Sequence, residues 1–139
     1  VNVLGFDYGS QLIGVAVGNR LTRTARPLGS VSNGGNGPAW ERIDHWIREW
    51  QPEALLVGLP LTLDGEEQKA SRAARAFANA LAKRCSAPLH LVDERRSSIE
   101  AARRFAQRRA AGLAKKKHAA DIDAVAAEVI TETWLADCP

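Results

Sequence analysis

A chain of 139 residues with 45% hydrophobic and 25% charged side chains has the size and composition of one folded domain, 1–139, and not of a disordered or fibrous chain. No apolar run nears the roughly 20 residues that span a bilayer, the first residues lack the basic start and long apolar stretch of a secretory leader, and Cys85 and Cys138 make neither a zinc spacing nor a disulfide framework. These features count against the secreted, membrane and zinc-finger classes, and the expected compartment is the cytoplasm, with reduced thiols. The net charge of +3 conceals an asymmetry: from Arg95 to His118 there are nine Lys/Arg against one acid, Glu100, which leaves a net −5 on the remainder. Such a concentration suits a phosphate backbone, while a solvated helix face followed by a lysine-rich loop would share its composition.

Val3 to Asp7 is a short apolar run closed by a carboxylate and reads as a buried strand. Gly9-Ser10 turns the chain into a second strand, Leu12 to Asn19. The gap is too short for a parallel return, which takes about a dozen residues, so the pair is an antiparallel hairpin. Pro27 to Val31 reads as a third strand, ended by the turn-rich 32–37. Pro38 opens a helix in which Trp40, Ile43, Trp46 or Ile47, and Trp50 recur at helical spacing, so the tryptophans are packing residues. Ala54 to Leu59 is almost wholly apolar, as befits a central strand covered on both faces. A helix from Glu67 to Arg84 and a strand from Pro88 to Val92 follow. Ser97 and Glu100 have capping-box spacing for a helix to about Arg109, and a last helix runs from Ile122 to Leu135. The fold class is α/β: a three-stranded antiparallel meander plus two parallel strands in one mixed sheet flanked by helices.

Acids stand at the ends of these elements. Asp7 closes the first strand, and Asp93 and Glu94 follow a later one, where ligands of open α/β sheets bind. Asp121 and Asp123 open the final helix. At about 100° per residue, Asp123 borders the apolar stripe of Ile122, Ala126, Val129 and Ile130, whereas Asp121 points away and precedes it. Asp123 is the better candidate for a site and Asp121 for the N-cap; an error of a few residues in the helix start would exchange them. Carboxylates from two strand ends and a helix start offer a hard-oxygen donor set for Mg²⁺ or Mn²⁺, and two such ions can drive phosphodiester hydrolysis. His45, His90 and His118 share no ligand or triad spacing, and no nucleophile elbow occurs. Gly58-Leu59-Pro60 and Asp64-Gly65 read as a shaped loop, with Asp64 a turn residue and substrate contact the alternative.

The strings F-D-Y-G-S-Q-L-I-G-V-A-V-G (6–18), L-V-G-L-P-L-T-L-D-G (56–65), V-D-E-R-R-S-S-I-E-A (92–101) and D-I-D-A-V-A-A (121–127) resemble the YqgF family over essentially the whole chain. Members of that family are assigned as nucleases of pre-16S ribosomal RNA and are related to the RuvC-type Holliday-junction resolvases. The resemblance implies an RNase H-like fold and a divalent-metal nuclease acting in ribosome biogenesis. Carried across motif by motif, it implies Asp7, Glu94 and Asp123 as catalytic, metal-holding acids, with Asp7 as a shared ligand. Arg95 becomes a phosphate contact, and Arg96, Lys115, Lys116 and Lys117 join it as nucleic-acid-binding residues of the basic segment. Gln11 and Leu12 stand where the family often carries a basic residue, and Thr62 where it often has Asn. The implied partner is precursor rRNA, free or in ribosomal particles, bound by a monomer or homodimer. A DNA-junction resolvase with the same acids and a non-catalytic RNA-binding assembly factor are the alternatives.

Overall fold

A computed structural model of the chain describes residues 1–94, 97–110 and 121–138. Five strands, β1 (Asn2–Tyr8), β2 (Leu12–Asn19), β3 (Thr24–Ser32), β4 (Ala54–Leu59) and β5 (Leu89–Asp93), form one sheet in the order β3-β2-β1-β4-β5. The first three are an antiparallel meander, and β4 and β5 add on in parallel, as the sequence predicts. The third strand is longer than its apolar centre, Pro27 to Val31, indicates. Pro27 is tolerated within it because β3 is an edge strand and the register shifts beside this residue, between Val15 and Ala16 of β2, and an edge or a bulge can spare the missing N–H.

Side chains alternate across the pleat, so each strand feeds two cores. On one face Leu4, Phe6, Ile13, Val15, Leu55 and Val57 pack against α1 (Trp40–Trp50) and α2 (Lys69–Ala82) through Ile43, Ala74, Phe77 and Leu81. The tryptophans of α1 pack against this core, and each also carries a guanidinium: Arg84 over Trp40, Arg42 over Trp46, Arg26 over Trp50. The helix starts at Trp40, not at Pro38, because Pro38 bridges back to Asn33 and closes the turn of residues 34–37, where Gly35 and Gly37 take positive φ. Ser71 fixes the start of α2: its hydroxyl accepts from the Gln68 N–H and donates to the Pro60 carbonyl after β4.

The other face is covered by α4 (Asp121–Asp137), which meets Val3, Leu56 and Val92 through Ile130 and Leu135. This helix lies unusually close to the sheet. A Cβ at Gly5 of β1 would overlap Thr131, and one at Gly14 of β2 would overlap the Asp123 carbonyl. The remaining helix, α3 (Ser97–Ala110), packs on α4. None of the described helices is long and apolar enough to cross a membrane.

Candidate active site

The pleat decides which acids can meet. In β1, Val3, Gly5 and Asp7 point toward α4, while Leu4 and Phe6 point toward α1 and α2. In β5, Val92 belongs to the α4 side. Glu94 extends the ladder by one bond, its N–H donating to Leu59 O at 3.2 Å, and so shares the face of Val92. Asp93 stands on the opposite side, exposed and in register with Leu59. Of the two adjacent acids, then, Glu94 faces the same layer as Asp7.

Strand β4 lies between the strands that carry Asp7 and Glu94, and the glycine in its last turn of pleat removes the obstacle. A Cβ on Gly58 would come within 2.5 Å of Glu94 Oε2 and of Ile130 Cδ1. The bare backbone at 58 therefore lets the Glu94 side chain reach across β4, where it shares a hydrogen bond with the Asp7 carboxyl. On the other flank Gly14 is paired with Asp7 in β2, and its missing side chain admits the first turn of α4. That turn carries Asp123, half-buried and close enough for its charge to act on Asp7.

The electrostatics follow from this crowding. Burial pushes the Asp7 carboxyl from 3.8 up to about 6, the hydrogen bond with Glu94 works against that rise, and the negative charge of Asp123 adds to it. Burial also raises Asp123. A carboxyl–carboxylate hydrogen bond needs a proton, which here supplies positive charge between the two acids. In donor chemistry the three acids fit a hard divalent cation, which would take the proton's place. As to arrangement, no three acidic, imidazole or thiol groups close around one centre among the described residues: the site is a hydrogen-bonded pair with a third acid beside it.

Sequence reasoning missed Gly14 and Gly58. The available signal was glycine inside otherwise apolar strands, which marks a close approach by another group. It also missed Asn33, whose buried side chain donates to Gly9 O at 2.6 Å and whose N–H donates to Gln11 O, tying the β1–β2 turn to the end of β3. The loop after β4 is shaped as expected: the Thr62 carbonyl accepts from the Gly65 N–H, Thr62 Oγ1 accepts from the Glu66 N–H, and Asp64 lies within that turn.

Other expectations need revision. The capping box of Ser97 and Glu100 involves a side chain outside the described residues; the Glu100 carboxylate is bound by Arg103 and Arg104, which hold it down at about 2. Arg104 also reaches Glu128 and Glu132 of α4 at 3.3 and 2.8 Å. Two of the nine cations in the basic segment are thus neutralised internally. Asp121 is helical, within α4 and not before it. Arg95, Arg96, Lys115, Lys116 and Lys117 lie outside the described residues, as does the side chain of Asp121.

A family model described as "RuvX: Holliday junction resolvase" matches residues 1–137. The chain belongs to the RuvX family. This is the YqgF family that the motifs resemble. Similar curated proteins include one from Xanthomonas axonopodis pv. citri (strain 306), 49% identical over 134 residues, and one from Xanthomonas campestris pv. campestris (strain 8004), 50% identical over 133 residues. Each alignment covers 96% of this chain and 86% of the relative, and both relatives are named "Putative pre-16S rRNA nuclease". Among solved structures, T. thermophilus RuvC in complex with a Holliday junction substrate aligns with a TM-score of 0.60 at 19% identity, covering 96% of this chain and 92% of that one. Fowlpox virus resolvase, solved with Holliday junction DNA, aligns with a TM-score of 0.59 at 11% identity, covering 98% and 97%. The likeness is one of fold, and the fold of this RuvX-family chain is RNase H-like.

Proposed function

We propose that this RuvX-family chain is a divalent-metal-dependent nuclease that processes the 5′ end of precursor 16S rRNA, as one domain acting in the cytoplasm on free RNA or ribosomal particles. Family membership makes it a phosphodiester-hydrolysing enzyme. The names of the relatives support the RNA substrate. The observation that carries the metal assignment is the hydrogen-bonded Asp7–Glu94 pair with Asp123 beside it.

In this reading Asp7, Glu94 and Asp123 hold Mg²⁺ or Mn²⁺, as one ion or two, with Asp7 the shared ligand. The ions supply Lewis-acid activation of water and stabilisation of the leaving oxygen. The chain's own contribution is to bring three negative charges together against their repulsion. Gly58 clears the path for Glu94, and Gly14 admits the Asp123 turn of α4. Below about pH 6 a proton shared by Asp7 and Glu94 competes with the cation for the same oxygens. Arg95 and Arg96 follow Glu94 directly in the chain, and Lys115 to Lys117 precede α4. Their charge serves to hold phosphates next to the acids.

The family description favours a second reading, a resolvase of DNA junctions using the same acids. A symmetric cutter of that kind acts as a dimer. Both readings are tested by incubating a labelled precursor of the 16S 5′ region and a labelled four-way DNA junction with Mg²⁺ or Mn²⁺, using wild type and Asp7→Asn. Metal-dependent RNA cleavage that disappears in the variant is the expected result. Cleavage of the junction alone transfers the assignment to DNA. RNA binding without cleavage of either substrate in both proteins leaves the assembly-factor reading in its place.

A further inference from the structure

We propose that the groove between α1 and the edge strand β3 binds single-stranded RNA leading away from the acids. The proposal rests on the RNA reading above and extends it to a surface on the other face of the sheet. Three observations locate the groove. Arg26 of β3 stands over the Trp50 ring at 5.1 Å, and Arg42 of α1 over Trp46 at 5.3 Å. Trp46 in turn leans over β3, its ring edge 3.8 Å from where a side chain at Gly29 would begin. Arg42 also donates to Ser30 O at 3.3 Å. Indole and guanidinium therefore alternate along β3 from Arg26 to Ser30, about 13 Å along the strand.

The chemistry of this strip suits a single strand. Neither Arg26 nor Arg42 has a carboxylate partner among the described residues, and both are exposed, so their charge is available to phosphates. A guanidinium already lying on an indole presents a flat cationic surface on which an unstacked base can stack. At the Arg26 end the strip opens into a cavity of about 250 Å³ whose polar walls are Asn2, Asn19, Thr22 and Thr24. The Thr22 and Thr24 hydroxyls lie 2.7 Å apart, and Asn2 donates to the Trp50 carbonyl. Amide and hydroxyl groups in a recess beside a stacked cation are the kind of groups that hydrogen-bond a base edge or a 2′-hydroxyl.

The register connects the strip to the site. Gly14 is paired with Asp7 on one side and with Ser30 on the other, so Ser30 lies two strand spacings, about 10 Å, from Asp7 across the sheet. A strand passing the acids can turn over this end of the sheet and enter the groove at Arg42.

The test measures binding, in the full chain and with EDTA present so that cleavage plays no part. Anisotropy of a fluorescein-labelled 12-nucleotide single-stranded RNA is followed across a salt series for wild type, Arg26→Gln/Arg42→Gln and Arg26→Lys/Arg42→Lys. A hairpin of the same composition serves as the second ligand. The Gln pair is expected to bind the single strand at least tenfold more weakly, with a salt slope shallower by about 1.4 for two lost phosphate contacts, and to bind the hairpin within twofold of wild type. The Lys pair is expected to recover the slope but not the affinity, because lysine keeps the charge and loses the stacking plane. An unchanged affinity for the single strand overturns the proposal, as does an equal loss on the hairpin. Because no cleavage is measured, an inactive protein that shows the expected binding pattern sinks the nuclease reading and not the groove.

Discussion

The carboxyl groups of Asp7 and Glu94, carried on strands separated by β4, meet in a hydrogen bond across Gly58. Two acids from different strands are held together in a partly enclosed layer with a third, Asp123, alongside. Such a grouping lowers stability unless a proton or a cation is present, and it defines what the metal-free protein does as pH changes.

Asp7 titrates near 6 in the folded chain against 3.8 when unperturbed, chiefly because it is buried. A raised folded-state value means that the protonated form stabilises the fold. That contribution is complete below pH 3.8 and is lost as pH rises through 6. At 1.36 kcal/mol per unit it amounts to roughly 2–3 kcal/mol. In EDTA, Asp7→Asn cannot ionise and is spared the loss, so at pH 8 it should melt above wild type by roughly 5–10 °C. The two should converge near pH 4. Calorimetry across pH 4–8 checks this, and a variant melting at or below wild type at pH 8 would refute the crowded-acid description.

A dication should replace the missing charge. At pH 8, adding Mn²⁺ or Mg²⁺ to the chelated wild type should raise its melting temperature, by an amount equivalent to about 2.7 kcal/mol at a hundredfold excess over the dissociation constant. Asp7→Asn should respond little. Below pH 6, protons and metal compete for the same oxygens, so the metal-induced shift should shrink. A shift that is the same in both proteins would place the ion elsewhere.

How much of this can be read without coordinates differs by residue. The strands at Val3–Asp7 and Ala54–Leu59 are apolar enough to be identified alone, and an acid closing the first of them marks an end of the sheet. The choice between Asp93 and Glu94 needs the register of β5, because one residue of slip exchanges their faces. Gly14 and Gly58 are visible as glycines in strands, but their purpose appears only once β4 is known to separate the two acids. The surplus charge of the basic segment is overcounted in the sequence, since the partners of Arg104 lie on α4, 24 and 28 residues further on. Local pattern reads local structure well, and contacts across the chain escape it.

Gly58 offers a test of the path across β4. Gly58→Val would place methyl groups where Glu94 Oε2 and Ile130 Cδ1 now lie. Overpacking of this kind costs about 1–3 kcal/mol, and the Glu94 carboxylate would be turned away from Asp7. The expected result is a folded protein with at least a tenfold loss of metal-dependent cleavage and an Asp7 titration displaced from about 6, followed by carboxyl-carbon NMR. Retained cleavage would show that Glu94 need not cross at residue 58.

Arg104 ties α3 to α4. Its guanidinium, about a quarter exposed, contacts Glu100 at 3.0 Å, Glu128 at 3.3 Å and Glu132 at 2.8 Å, and Glu128 is only 5% exposed. Arg103 by contrast pairs, among the described residues, with Glu100 alone, at the surface. Removing Arg104 takes away a cation shared by three carboxylates, one of them buried, so Arg104→Ala should destabilise by about 1–3 kcal/mol, less than breaking a fully buried pair because the site is partly wet. Arg103→Ala should leave the melting temperature within about a degree. Since α3 begins three residues after Glu94 and α4 carries Asp123, the same loss should loosen the support of the site. Hydrogen exchange should show α3 amides losing protection in Arg104→Ala while those of α4 from Ala124 to Thr131, buried against the sheet, keep theirs. Equal loss in both helices would instead mean that α3 and α4 open as one unit, with the clamp internal to it.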